Sequence, residues 1–222
     1  MDGLATARTS SRSAGKIERM QRIRTFVALN LPVAAINKVA ELQKSIVKQA
    51  EQDEVRVGWV PPANMHLTLK FIGEIAEENV PAVRDLLSAR LAERPAISLS
   101  LAGVGVFPDF DTPRVIWVGV RAEDEAVRQL ASDVDSWLAE LGYAEEKRSF
   151  HPHLTLGRIK QLDGAAVPQS FIEALKEKEE LSLDAYVADE VVFYRSQLQR
   201  SGAEYLPLER VRLRPGRKPT TT

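Results

Sequence analysis

The chain contains no cysteine. That excludes disulfide cross-links, thiolate zinc sites and a cysteine nucleophile. It suits a reducing compartment, and a cytoplasmic location is the expectation. Long apolar runs are also missing: nothing approaches the ~20 residues that a membrane-crossing helix needs, and the first residues lack the apolar stretch of a secretory signal. Neither sign of charge is in excess. Lys and Arg total 30 against 31 Asp and Glu, so any contact with a polyanion has to be local. Histidine is scarce, with three in 222 residues.

All three histidines fall in or beside two copies of one tetrapeptide. The copies are His66-Leu67-Thr68-Leu69 and His153-Leu154-Thr155-Leu156, and His151 lies two residues before the second. In an extended strand, residues i and i+2 point the same way. Each copy therefore presents one imidazole and one hydroxyl on one face and buries two leucines on the other. Imidazole titrates near neutrality, so of two such groups one can be base while the other is acid. Hydroxyls from Thr68 and Thr155 could donate to the oxygens of a phosphate between them. That is a kit for acid–base chemistry on a phosphoester. A lone strand histidine would more simply be a half-buried residue with a satisfied hydrogen bond, and threonine is common in strands; the duplication favours the functional reading.

Neighbouring residues are weaker candidates. Arg158 ends the second motif and could grip phosphate through two donors. Strict alternation puts it on the face opposite His153, unless Gly157 permits a bulge. Lys70 shares the parity of His66 and Thr68 and is a minor candidate. Phe26 and Arg24 share parity on an earlier strand, where a phenylalanine is more often core. His151-x-His153 could chelate a metal, but the threonine repeat would then be unexplained, and there is no helical His-Glu-x-x-His. The expectation is metal: none and cofactors: none.

The remaining pattern is alternating. Strands are predicted over 24–30, 57–60, 66–72, 97–107, 114–120, 153–159, 183–194 and 205–213, and helices over 33–51, 77–91, 123–141 and 168–179. Helix is repeatedly followed by two strands. The predicted fold is α+β, with two pseudo-symmetric lobes of mainly antiparallel sheet, flanking helices and an active-site cleft between them. Residues 1–21, rich in Ser, Arg, Ala and Gly, and residues 214–222 read as a disordered extension and tail around a bilobal domain at 22–213. An organelle presequence is an alternative for the first segment, and Met20 is an alternative start.

The motifs and their surroundings resemble the RNA 2′,3′-cyclic phosphodiesterase family, long called 2′-5′ RNA ligases, of the 2H phosphoesterase superfamily. The resemblance rests on several segments. They are Arg24-Thr-Phe26-Val-Ala28; Trp59-Val60-Pro61 followed by His66 through Gly73; Phe107-Pro108 then Pro113 through Trp117; Phe150 through Arg158; and Arg195-Ser196-Gln-Leu198 with Gly202 through Tyr205. It covers roughly residues 22 to 212. It implies metal-independent opening of a 2′,3′-cyclic phosphate at an RNA 3′ end to give a 2′-phosphomonoester. It also implies His66 as the acid for the departing O3′, His153 as the base for water, Thr68, Thr155 and Arg158 as phosphate contacts, and Phe26 as the platform for the terminal base. Reversal would give 2′-5′ ligation without ATP. The expected partners are RNA 3′ ends or nucleotides bearing the cyclic phosphate, with no membrane contact, and the protein is expected to be a monomer. Alternatives are a 2H enzyme for a small cyclic nucleotide or an ADP-ribose cyclic phosphate, and a non-catalytic RNA- or nucleotide-binding module.

Overall fold

The computed structural model describes residues 21–122, 125–160, 166–199 and 202–216. In chain order its elements are β1 (Arg22–Asn30), α1 (Val33–Gln52), β2 (Val57–Trp59), β3 (Leu67–Ala76), α2 (Val80–Leu91), β4 (Ile97–Phe107), β5 (Val115–Ala122), α3 (Ala126–Glu140), β6 (His153–Ile159), α4 (Gln169–Lys176), β7 (Ser182–Ala188), β8 (Glu190–Gln199) and β9 (Gly202–Arg212).

The strands join in one sheet of order β7-β4-β5-β6-β3-β1-β8-β9, with β2 beside β6, and its strand pairs are antiparallel. The fold is thus mixed α and β with an antiparallel sheet, as the alternation implied. The sheet has two halves. One is β7-β4-β5-β6 with β2, and the other is β3-β1-β8-β9. Among the described residues they meet through a single residue pair, Leu67 opposite Leu154. Each half supplies one His-x-Thr strand.

Helices follow from apolar spacing. In α1 the residues Ala35, Val39, Gln43, Ile46 and Ala50 are buried along one stripe. In α3 the stripe is Val127, Leu130, Ala131, Val134, Trp137 and Leu138. The helix α3 touches β3 and β5, across the join between the halves, while α1 packs on α4 and α4 on β4.

Three expectations change. The strand predicted over 183–194 is two strands that pair in different halves, β7 with β4 and β8 with β1 and β9. The apolar pattern runs through Asp189, where the chain crosses, so periodicity alone could not divide it. Arg214, expected in the tail, is bonded to the fold: its N–H donates to Arg94 O at 2.8 Å, and Ala96 N–H donates to Arg214 O at 2.7 Å. At the other end, Glu77 N–H donates to Gln21 O at 2.9 Å, which ties residue 21 to the fold. The disorder expected of 1–20 and 217–222 lies outside the described residues. Finally, Lys70 points away from the motif face. It is 6% exposed, pairs with Asp135 of α3 and donates to Ala144 O at 2.7 Å.

One buried polar side chain fixes the local shape of β6. Gln43 Nε2 donates to Val60 O and to Leu156 O, each at 2.8 Å, and Val60 N–H donates to the same Leu156 oxygen at 2.9 Å. Gln43 is 7% exposed, so these bonds have no water to replace them. Gln43→Ala is expected to lower unfolding free energy by about 1–3 kcal/mol, read as a shifted denaturant midpoint. A midpoint equal to wild type would show that these bonds are not needed.

Candidate active site

The single pair between the halves is made by the motif itself. Leu67 and Leu154 are both fully buried, so the alternate residues lie on the opposite face. Carrying the antiparallel register one residue either way sets His66 beside Thr155 and Thr68 beside His153. The two copies are thus related by a local twofold at the leucine pair. Past this point β3 leaves β6, and β2 takes the place beside it. The parting opens a cleft of about 420 Å³ whose lining includes His66, Thr68, His153, Thr155, Arg158 and Phe26. These six residues read from the sequence therefore border one cavity, and Lys70, the minor candidate, does not. Arg24 and Arg158 contribute positive charge, and among the described residues no Asp or Glu lines the cleft. The molecule as a whole is near neutral, but this cavity suits an anion.

Each imidazole is oriented by the backbone two residues before it. His66 Nδ1 lies 2.8 Å from Asn64 O, and His153 Nδ1 lies 2.6 Å from His151 O. A carbonyl oxygen only accepts, so Nδ1–H is the donor in both rings, and Nε2 is left for the cleft. Burial pushes the His66 imidazole down to about 4, opposed by the Asn64 bond and aided by His153. Burial also lowers His153, again opposed by its carbonyl bond, with the charges of His151 and Arg158 acting in the same direction as burial. Both rings therefore favour the neutral state, with Nε2 unprotonated.

A bulge in each motif strand sets the facing of the residues beyond the tetrapeptide. On β6, Thr155 pairs with Trp117 but Gly157 pairs with Ile116, so Leu156 is the extra residue. On β3, Thr68 pairs with Ala28 but Lys70 pairs with Val27, so Leu69 is extra. In both strands the fourth and fifth motif positions are buried and the sixth is exposed. Parity flips there. Arg158 thereby returns to the cleft, and its counterpart in the first copy is Phe71. The same flip sends Lys70 to the opposite face. Gly157 is required by close approach: a Cβ there would lie 2.6 Å from Val57 and 2.8 Å from Trp59 of β2.

Phe26 is placed differently from an open platform. It is 2% exposed. Its ring stacks on His66 at 4.9 Å and on Tyr194 at 5.1 Å and meets Tyr205 edge-on at 5.1 Å. This burial leaves little surface for a base, and the ring is a wall behind His66. The exposed aromatic in the cleft is Phe71, 60% exposed, with Leu198 nearby in the lining at 80%. Sequence reading misses Phe71 because alternation without a bulge points it away from His66. It also gives no role to Tyr205, although that residue lies in a segment that carries the family resemblance, and it misses the two orienting carbonyls, which carry no side-chain signal.

His151 is exposed, with its ring 6.3 Å from that of His153. Among the described residues no group of three or more His, Cys, Asp or Glu gathers to hold a metal ion. No helix among them is long and apolar enough to cross a membrane.

The chain is similar to known proteins over most of its length. The RNA 2′,3′-cyclic phosphodiesterase of Aeropyrum pernix is 32% identical over 177 residues, covering 80% of this chain and 96% of that protein. The crystal structure of TT0787 of Thermus thermophilus superimposes with a TM-score of 0.71 at 27% identity, covering 88% of this chain and 100% of that one. The structure of Escherichia coli LigT complexed with 3′-AMP gives a TM-score of 0.60 at 27% identity, covering 87% and 99%. A model of the 2′-5′ RNA ligase superfamily matches residues 32–200, which span most of the sheet and both histidine motifs, and the chain belongs to that family.

Proposed function

We propose that this phosphodiesterase opens RNA 2′,3′-cyclic phosphates to 2′-phosphomonoesters by two-histidine acid–base catalysis. The observation that carries this reading is the pair of imidazoles, each with Nδ1 bound to a carbonyl and Nε2 left for the cleft, bordering one arginine-bearing cavity. The Aeropyrum pernix relative is named for this activity, and the Escherichia coli neighbour holds a nucleoside phosphate.

The phosphate lies between the motifs, with Thr68 and Thr155 hydroxyls and the Arg158 guanidinium on its non-bridging oxygens. His153 Nε2 takes a proton from water, the water oxygen attacks phosphorus, and the P–O3′ bond breaks. His66 Nε2–H protonates the departing O3′. In-line displacement requires the two rings on opposite sides of phosphorus, which the local twofold supports. Run in the same direction with an RNA 5′-hydroxyl in place of water, the same steps form a 2′-5′ linkage. Burial disfavours protonated imidazole in the free site, so the substrate's negative charge is what stabilises the acid form. The terminal base stacks on Phe71 at the cleft rim, while Phe26 holds His66 in place.

His66→Ala and His153→Ala are each expected to reduce kcat on a nucleoside 2′,3′-cyclic phosphate about 10²- to 10⁴-fold while keeping the wild-type circular dichroism spectrum. His151→Ala should be much milder. Near-wild-type kcat in either motif variant would end the two-histidine mechanism.

The pH profile follows from the direction of the histidine shifts. Turnover needs one protonated and one neutral ring. Both rings are depressed in the free protein, so the singly protonated form disappears as pH rises through values below about 6.5. The kcat/KM profile should therefore be a bell centred on the acid side of 6.5. The kcat profile should lie at higher pH, because bound phosphate raises both rings. A kcat/KM maximum above about pH 7.5 would contradict the buried, neutral pair.

Product analysis by phosphorus NMR should show a 2′-phosphate. Phe71→Ala should raise KM by about 5- to 150-fold, equivalent to one lost base stack of about 1–3 kcal/mol, with less effect on kcat. A predominantly 3′-phosphate product would contradict the placement of O3′ beside His66.

A further inference from the structure

The half of the sheet that carries His153 holds a second cavity on the same face, which the proposed hydrolysis does not use. Trp117 of β5 is the register partner of Thr155 on β6 and of Gly105 on β4. Register partners share a face, so the indole lies on the cleft side of the sheet. A Cβ on Gly105 would fall 2.2 Å from the indole, so the ring rests directly on the β4 backbone. His151 meets this ring at 4.7 Å, and Phe107 lies 5.2 Å from it and 4.9 Å from His153. Beside this aromatic group is a cavity of about 450 Å³, lined by Trp117, His151 and Phe110 among others. In the order of the sheet it sits over β4 and β5, so His153 on β6 separates it from the catalytic cleft.

Three properties constrain its occupant. The charged residues of the lining balance, with Arg121 and Arg128 against Asp109 and Glu179, and Arg128 is already paired with Glu125 at 2.7 Å. An anion is therefore not selected. The floor is aromatic, which suits a planar group. In the proposed reaction its position is on the His153 side of phosphorus, where the nucleophile enters. A water molecule needs only about 30 Å³, so the cavity is far larger than hydrolysis requires.

We propose that this pocket is a subsite for the base of a second nucleoside, whose hydroxyl replaces water as nucleophile. The inference rests on the two-histidine reading above. The acceptor O–H gives its proton to His153 Nε2, its oxygen bonds to phosphorus, the P–O3′ bond breaks and O3′ takes the proton of His66. The product is a 2′-phosphodiester, and no other reactant is needed. Trp117 and His151 hold the acceptor's base, so they govern the division between transfer and hydrolysis.

The test uses the full-length protein with cytidine 2′,3′-cyclic phosphate as donor and adenosine as acceptor. Liquid chromatography with mass spectrometry reads the ratio of cytidylyl-2′-5′-adenosine to cytidine 2′-phosphate. Both products come from one enzyme in one reaction, so any general loss of catalysis cancels. Trp117→Ala and His151→Ala should each lower this ratio about fivefold or more, as loss of a stacking contact would. With methanol as acceptor there is no base to hold, and both variants should keep the wild-type ratio of methyl ester to 2′-phosphate. His151→Ala keeps the test open should Trp117→Ala fail to fold. An unchanged ratio with adenosine, or an equal fall with methanol, would overturn the subsite. So would a raised KM for the cyclic nucleotide with the ratio unchanged, which would put the first base there instead. Hydrolysis without any transfer to adenosine would overturn it alone, whereas a wild-type protein that does not hydrolyse the donor would overturn the underlying reading as well.

Discussion

The architecture depends on one pair of residues. Leu67 and Leu154 face each other across the rung that joins the two halves of the sheet. Both are fully buried, and burying two leucine side chains contributes about 1.5–3 kcal/mol each. Their chemistry is ordinary, but their position sets the register. A slip of one residue in either strand would exchange its buried and exposed faces and turn its imidazole into the core. The same burial that holds the sheet together thus holds His66 and His153 on one side of it. Because the rung lies at the centre of both motif copies, it also imposes the local twofold.

The electrostatics follow from that placement. Two imidazoles set in partly buried, aromatic-walled positions lose hydration, and both are pushed toward the neutral form. The backbone carbonyls of Asn64 and His151 fix each ring by its Nδ1. What the cleft lacks, among the described residues, is negative charge, since its lining carries Arg24 and Arg158 and no carboxylate. In the proposed reaction an entering phosphate supplies it, and substrate charge takes the part that a buried aspartate plays in other acid–base sites.

Much of the site is legible in the sequence for a physical reason. Alternation along a strand is a strict geometric rule, and a duplicated motif reports it twice. His66, Thr68, His153 and Thr155 can therefore be placed on one face from residue order alone. The rule fails at a bulge, which no residue type announces with certainty. Gly157 hints at one, and Arg158 does return to the cleft; nothing in Leu69 or Lys70 hints at the matching bulge in β3. For that reason alternation turns Lys70 toward the cleft and overlooks Phe71. Gln43 is unreadable for a different cause. It occupies an apolar stripe of α1, and its role is to bond two carbonyls distant in sequence. The division of 182–199 into strands of opposite halves is hidden as well, because hydrophobic pattern records burial and not the partner strand.

The central claim is that the two imidazoles act as one unit across a single phosphate. A kinetic double-mutant cycle tests it most directly. The quantity is kcat/KM on a nucleoside 2′,3′-cyclic phosphate for wild type, His66→Ala, His153→Ala and the double variant. Groups that act as a unit are strongly non-additive, so removing the second costs little once the first is gone. The account expects the double variant to be no more than about tenfold slower than the slower single variant. Losses that multiply in full would mean two independent groups and would contradict it.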